Sequence, residues 1–328
     1  HYAMKVLHKC LLYNSKLRER ARNERQINGS LGPHPFVVRM RYAFATDRCL
    51  CLLLDLAPCG ELFQLVTAHE PGSYAGKTYG RKFPEQAARF YVAESLLALE
   101  FLHERRVLYR DLKPENVLIR RDGHVTISDF GLSKPGVNHP LRGARSMCGT
   151  PEYLAPEILR GNHEHGLAVD FWTLGALFYE LIAGEPPWYS KDRKKLLERI
   201  AKRDLELKLP RGLKPKLSKD GELLLRALLH RDATVRLGSD RDAAAVKEHN
   251  FFQMVDFDLL LARRVEPPFV PKNFVADLKP GEDVAWDDVK PDPARAAEGP
   301  PKLDIADRRF NEIFARFEFR HDADEAAA

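Results

Sequence analysis

Residues 108–116 read Leu-Tyr-Arg-Asp-Leu-Lys-Pro-Glu-Asn. Asp129-Phe130-Gly131 begins thirteen residues after Asn116, and Thr150-Pro151-Glu152-Tyr153-Leu154-Ala155-Pro156-Glu157 comes later. Each string alone is weak: a short Asp- and Gly-containing tripeptide is usually a turn, and a lone lysine a solvated charge. In this order and spacing the strings define one chemical apparatus. They constrain fold and reaction class together.

The surrounding pattern mixes strands and helices. Tyr2–Leu7 has the alternation of a strand, and Asn14–Ile27 reads as a charged helix closed at Asn28-Gly29, with Gly29 suited to a left-handed C-cap. Val37–Ala43 and Cys49–Leu54 are predicted strands around the turn-like Thr46-Asp47-Arg48, and Ala57-Pro58-Cys59-Gly60 breaks the pattern. Helices then dominate. Pro84-Glu85 starts one whose Phe90, Ala93, Leu97 and Phe101 share a face, Phe171–Ile182 is apolar nearly all round, and Asp220–His230 is amphipathic. Asp122-Gly123 between Val117–Ile119 and Val125–Ile127 predicts a hairpin. Ala68–Lys82 is expected to be a long loop. The Pro- and Asp-rich stretch beyond Asn250 is not expected to hold a core of its own.

Composition narrows the function classes. The chain has 328 residues, 44% hydrophobic and 30% charged, enough for a large core in a soluble enzyme. A net charge of +5, with both signs mixed, leaves no block that reads as a nucleic-acid footprint; the short runs Arg18–Arg22 and Lys191–Lys195 read as solvated helix faces. Five scattered cysteines form no disulfide framework, and Cys49 and Cys51 lack a second pair for a metal site. No stretch is long and apolar enough to span a membrane, and no signal peptide is visible. The expected setting is cytoplasmic, nuclear or both, with reduced thiols.

The ordered strings resemble the catalytic loop, metal-binding loop and activation-segment end of eukaryotic protein kinases. Tyr109 where most such enzymes carry histidine, the run Cys148–Tyr153, and Val265-Glu266-Pro267-Pro268-Phe269-Val270-Pro271 resemble the AGC group, which includes the cyclic-AMP-dependent and ribosomal-protein kinases. The likeness runs from Tyr2 to Phe319, and Asp129–Lys134 leans to the ribosomal-protein-kinase side. It implies an α+β, bilobal protein-kinase-like fold: a partial small β-sheet lobe over residues 1–56, a larger mainly helical lobe over 57–251, and an AGC-type tail over 252–328. The opening at His1, inside a strand-like run and without any Gly-x-Gly-x-x-Gly, makes N-terminal truncation the expectation, with the first strands and their glycine-rich loop missing.

The implied activity is transfer of the γ-phosphoryl group of ATP, with Mg2+, to Ser or Thr of proteins with arginine upstream. Such transfer asks a protein mainly for positioning and charge neutralisation. Lys5 would hold the α- and β-phosphates, braced by Glu24, although the same helix offers Glu19. Asp129 and Asn116 would bind magnesium, Asp111 is the expected base, and Lys113 would stabilise charge on the transferred group. Backbone groups of Asp55 and Ala57 would meet adenine, with Leu54 limiting access behind it. Glu61, Glu115 and Glu180 match positions that receive substrate arginines, and Glu61 is implied at the ribose as well. Glu157 is expected to pair with Arg236, and Asp170 to brace the catalytic-loop backbone.

Ser146 matches the activation-loop acceptor of an upstream activating kinase, its phosphate pairing with Arg110. Phe314, Phe317 and Phe319 resemble the hydrophobic motif that docks beside the Asn14–Ile27 helix, with Glu318 in place of a phosphorylatable residue. Trp286 is loosely aligned near the nucleotide. The rival readings are a pseudokinase or scaffold, or a fragment inactive for want of its glycine-rich loop. Retention of Lys5, Asp111, Asn116 and Asp129 weighs against a scaffold, which has no chemical need of all four.

Overall fold

The computed structural model describes residues 1–67, 73–74, 77–78, 82–209, 217–270, 317 and 319–320. In chain order, β1 (Tyr2–His8), α1 (Ser15–Ser30), β2 (Met40–Ala45) and β3 (Cys49–Asp55) form most of a small lobe. α2 (Leu62–Thr67) and the short pair β4 (Ser73–Tyr74) and β5 (Lys77–Thr78) follow. The larger lobe contains α3 (Glu85–Glu104), β6 (Val107–Leu108), β7 (Val117–Ile119), β8 (Val125–Ile127), β9 (Lys134–Pro135), α4 (Pro156–Leu159) and α5 (Ala168–Ala183). It ends with α6 (Arg193–Ala201), α7 (Lys219–Leu228), α8 (Ala243–Lys247) and α9 (Phe257–Leu261). β10 (Phe319–Arg320) returns to the small lobe.

The small lobe is an antiparallel sheet in the order β1-β3-β2-β10. Its register sets Lys5 opposite Leu52 and Phe319 opposite Ala43. α1 starts where the Asn14 side chain accepts from the Lys16 amide at 3.0 Å, capping the first turn. Its buried residues Ala21, Glu24, Ile27 and Asn28 recur at helical spacing and share one face. The helix passes through the expected stop at Asn28-Gly29 and ends at Ser30, with Leu31 extended behind it. Gly29 has another use: a Cβ there would lie 3.2 Å from the Phe319 ring. Absence of a side chain lets the C-terminal segment pack close. The first predicted strand of the β2–β3 pair also starts late, at Met40, because Val37 and Val38 turn to the larger lobe and bridge Ile127 instead.

α5 is the hub of the larger lobe. All sixteen of its residues are buried, including Phe171, Trp172 and Phe178, and Gly184 ends it in the left-handed conformation at φ +81°. α3 packs against it with Tyr91, Leu99 and Leu102 fully buried. Each such side chain contributes about 1.5–3 kcal/mol by leaving water. The hairpin at Asp122-Gly123 forms as expected, with Gly123 at φ +85°. A Cβ on Gly123 would come within 2.3 Å of the Phe269 carbonyl, so the chain crosses the turn closely there. Residues 252–270 thus have no core of their own but bury Leu260 and Phe269 against the larger lobe. The expected loop at 68–82 lies mostly outside the described residues; within it β4 pairs with β5. No helix among the described residues is long and apolar enough to cross a membrane.

Candidate active site

β1 and α1 bring the first pair together across nineteen residues of sequence. Lys5 Nζ donates to Glu24 Oε1 at 2.7 Å and Oε2 at 2.9 Å, while Glu19 is exposed. Lys5 Nζ also lies 3.4 Å from Asp129 Oδ1. Burial works against charge on Lys5, but Glu24 and Asp129 outweigh it and raise its pKa. Burial likewise pushes Glu24 up, with Lys5 opposing. Both shifts favour the protonated forms, which means charged for Lys5 but neutral for Glu24; the two short contacts to a cationic lysine favour the ion pair. Asp129, at φ +59°, accepts from the Gly131 amide at 3.1 Å. Burial raises its pKa, but Lys5 and that amide outweigh burial, and its carboxyl titrates below the usual range.

The loop after β6 supplies the second group. Asp111 is buried and held from three sides. Asn116 Nδ2 donates to its Oδ2 and to its backbone carbonyl, each at 2.8 Å; Thr150 Oγ1 donates to its Oδ1 at 2.9 Å; and Lys113 Nζ lies 3.2 Å from Oδ2. Lys113 also donates to Thr150 Oγ1 at 2.8 Å, so Thr150 joins lysine to aspartate. The tyrosine in place of histidine donates its hydroxyl to the Ser128 carbonyl and meets the Phe130 ring edge-on at 5.6 Å. It ties this loop to the Asp129 segment.

Lys5, Glu24, Asp111, Lys113 and Asp129 line one cavity of about 620 Å³. Asp55, Ala57 and Glu61 are not among its lining residues. The Asp55 carboxylate accepts from Arg41 Nε at 2.7 Å and its amide donates to the Arg39 carbonyl. A larger cavity of about 790 Å³, between Arg160, Trp188 and Arg231, is lined by Glu157 but by none of the residues predicted to hold nucleotide, metal or substrate. Side-chain chemistry rather than cavity size locates the site. Among the described residues no group of three or more His, Cys, Asp or Glu side chains is set to hold a metal.

Glu61, Glu115 and Glu180 form a chain of interacting carboxylates, with Lys113 acting on Glu115. Burial raises Glu115, Lys113 opposes, and Glu61 and Asp111 add to the rise. One Glu115 oxygen is buried without a hydrogen-bond partner. Glu180, reached by the Tyr153 hydroxyl, is pushed up to about 8 by burial and then by Glu115 and Glu152. Glu152, within the Thr150–Glu157 string, adds a fourth carboxylate through Glu180.

Arg110 Nη1 donates to Ser146 Oγ at 2.7 Å and its Nε to the Leu132 carbonyl at 2.6 Å. Burial lowers its pKa and Arg20 on α1 adds to that, so a second guanidinium lies within electrostatic reach of Arg110, whose own partner Ser146 is exposed. Arg236 donates to both Glu157 oxygens at 2.7 and 2.9 Å, and Asp170 accepts from the Tyr109 and Arg110 amides. Phe317 is buried with Leu12, Ala21, Met40, Leu50 and Leu52 beside α1; its carbonyl accepts from Arg25 Nε at 3.2 Å, and the Arg25 guanidinium lies 5.8 Å from the Phe319 ring. Phe314, Glu318, Pro271 and Trp286 lie outside the described residues.

The family model for the protein kinase domain matches residues 1–252. The chain is 42% identical over 274 residues to ribosomal protein S6 kinase 2 beta of Xenopus laevis, covering 82% of this chain and 40% of that protein. It is 40% identical over 270 residues to a RAC family serine/threonine-protein kinase homolog of Dictyostelium discoideum, covering 82% and 56%. It is 41% identical over 279 residues to human serine/threonine-protein kinase Sgk2, covering 85% and 71%. The chain therefore spans about half the length, or less, of the first two relatives. With these matches and the geometry above, the chain belongs to the protein kinase family, in its AGC group of serine/threonine kinases.

Proposed function

We propose that this chain transfers the γ-phosphoryl group of ATP to serine or threonine hydroxyls of proteins carrying arginine upstream of the acceptor. The observation that carries the reading is the convergence of Lys5–Glu24, Asp129, Asp111 and Lys113 on one cavity. A magnesium nucleotide fits the donor set. Asn116 spends both amide hydrogens on Asp111, leaving its carbonyl oxygen for a metal, and the Asp129 side chain is half exposed. Magnesium keeps several waters and takes few protein carboxylates, so a dense acidic cluster is not required. Held by Asp129 and Asn116, magnesium would supply positive charge to offset that of the phosphates.

The chain's own groups divide the remaining work. Lys5, fixed by Glu24, anchors the α- and β-phosphates, while backbone groups of Asp55 and Ala57 meet the adenine edge and Glu61 the ribose. Asp111, aimed by Asn116 and Thr150, accepts the proton of the substrate hydroxyl. Lys113 stands beside it to offset charge on the transferred group. Phosphorylation of Ser146 by an upstream kinase would place a dianion against Arg110 and order the segment. A cytoplasmic or nuclear setting belongs to the same reading, in keeping with five free cysteines.

The interacting carboxylates give the specificity. An arginine entering between Glu61, Glu115 and Glu180 would pair with carboxylates that now raise one another. Transfer to a serine peptide with upstream arginines, and to the same peptide without them, tests this. Glu115→Ala should lower kcat/KM for the first about tenfold or more and leave the second nearly unchanged. Equal losses on both would make Glu115 structural. No transfer by the wild type to either would reject the reading.

Phe317 and Phe319 beside α1 support constitutive docking of the tail, with Glu318 as its anion. Phe317→Ala should lower activity and speed amide exchange in α1, since truncating a buried phenylalanine costs about 3–5 kcal/mol. Unchanged α1 exchange would mean that the tail does not hold the helix.

A further inference from the structure

The amides of Tyr109 and Arg110 enter the catalytic loop already bound to one carboxylate. Tyr109 N donates to Asp170 Oδ2 at 2.8 Å and Arg110 N to Oδ1 at 2.7 Å. Asp170, in the first turn of α5, is 0% exposed. The Arg110 guanidinium also acts on it but spends its bonds on the Leu132 carbonyl and Ser146. Two neutral donors leave such a carboxylate without a bonded countercharge, a costly state in a protein interior.

His103, in the last turn of α3, supplies it. Its Nε2 lies 2.8 Å from Asp170 Oδ2, and its Nδ1 lies 3.0 Å from both oxygens of Asp242. A neutral imidazole has one N–H donor, so a ring with a carboxylate at each nitrogen is matched only as the imidazolium. Asp242 comes from a distant segment, the residue before α8, and holds φ +54° while its Oδ1 accepts from the Ala243 amide at 2.7 Å. A non-glycine residue in that region persists where its surroundings over-determine it.

The other neighbours do not compete for the ring. Phe171 of α5 meets it edge-on at 5.4 Å. On α3 itself Glu100 pairs with Lys247 of α8 and Glu104 with Arg105; near α8, Arg241 pairs with Asp240 and Glu248.

We propose that Asp242 is a positioning residue for the catalytic loop: it holds His103 as the imidazolium that neutralises Asp170, and so fixes the loop backbone directly before Asp111. It touches no reacting group. The clamp is independent of the chemistry, but its consequence for rate rests on the proposed kinase activity. The local electrostatics agree. Burial pulls the His103 pKa down from 6.5, and Asp170 and Asp242 together bring it up to about 9. Its ion pairs therefore support the fold fully below 6.5 and release that support as pH climbs through about 9. Without the Asp242 charge, burial faces one carboxylate rather than two, and the ring should lose its proton at lower pH.

Asp242→Asn in the full-length protein tests the idea, because asparagine keeps the size and still caps α8. Amide exchange of Tyr109 and Arg110 would be followed from about pH 6 to about pH 8.5, with transfer rates measured alongside. Variant and wild type should be equally protected at the acid end. At the alkaline end the variant's protection factors should fall about tenfold, kcat should follow with KM for ATP unchanged, and Asp242→Glu should restore both. A loss of the same size at both ends would mark Asp242 as a structural cap alone and overturn the inference, as would unchanged protection throughout. Should Asp242→Asn not fold, NMR titration of His103 in the wild type decides: a neutral ring at about pH 7 contradicts the proposal, and a charged one upholds it. Exchange and titration need no catalysis, so an inactive wild type would sink the kinase reading without deciding this one.

Discussion

Replacing Asp129 with asparagine should reduce phosphoryl transfer at least a thousandfold, which corresponds to about 4 kcal/mol of transition-state stabilisation. The carboxylate lies 3.4 Å from Lys5 Nζ and accepts from the Gly131 amide, and its partners hold its pKa below the usual range, so it is ionised throughout the working pH. Asparagine is the same size, and its side-chain oxygen can still accept from Gly131. The charge that would bind magnesium is lost while the fold remains. The thermal midpoint should therefore stay close to the wild-type value. A folded Asp129→Asn protein with near-normal transfer would remove Asp129 from the chemistry.

The largest stability effect is expected far from the cavity. Arg236 is fully buried, donates to both Glu157 oxygens, and gives another bond to the Ala168 carbonyl at 2.8 Å. Its guanidinium also lies 5.1 Å from the Trp172 ring centroid. Arg236→Leu should cost about 3–5 kcal/mol, because the neighbouring carboxylate is left buried and unpaired. Burial raises Glu157, but Arg236 outweighs it and holds the pKa below the ordinary 4.5. The pair thus contributes stability that is fully present above 4.5 and is lost as pH falls through the lower folded value. Urea unfolding at neutral and acid pH should show the variant's deficit shrinking on acidification. A deficit below about 1 kcal/mol at neutral pH would mean that the pair is solvent-screened.

The site was legible where chemistry is written into short strings. Lys5 sits within β1, and Asp111, Lys113, Asn116 and Asp129 lie on the loops after β6 and β8, elements that the sequence already signals. Sequence spacing already favours Glu24 over Glu19, and the structure supplies the reason: both lie on α1, and only the buried face reaches Lys5. Thr150, Glu152 and Arg20 were not assigned: each acts on a residue distant in sequence, and nothing in its own segment names that partner. Gly29 shows the converse limit. Read locally, Asn28-Gly29 is a helix stop, but packing of Phe319 against a residue without a side chain makes the position a contact instead. The Asp242–His103–Asp170 chain was beyond local reading, because His103 and Asp242 are 139 residues apart.

The most direct test is the rate of labelled γ-phosphate transfer from ATP to a serine peptide with upstream arginines, measured on the full-length protein with and without magnesium. The expected result is steady transfer that needs magnesium and is lost in Asp129→Asn. A folded protein that binds the magnesium nucleotide yet transfers nothing to serine, threonine or water would contradict it, and the cavity around Lys5 and Asp111 would then serve binding alone.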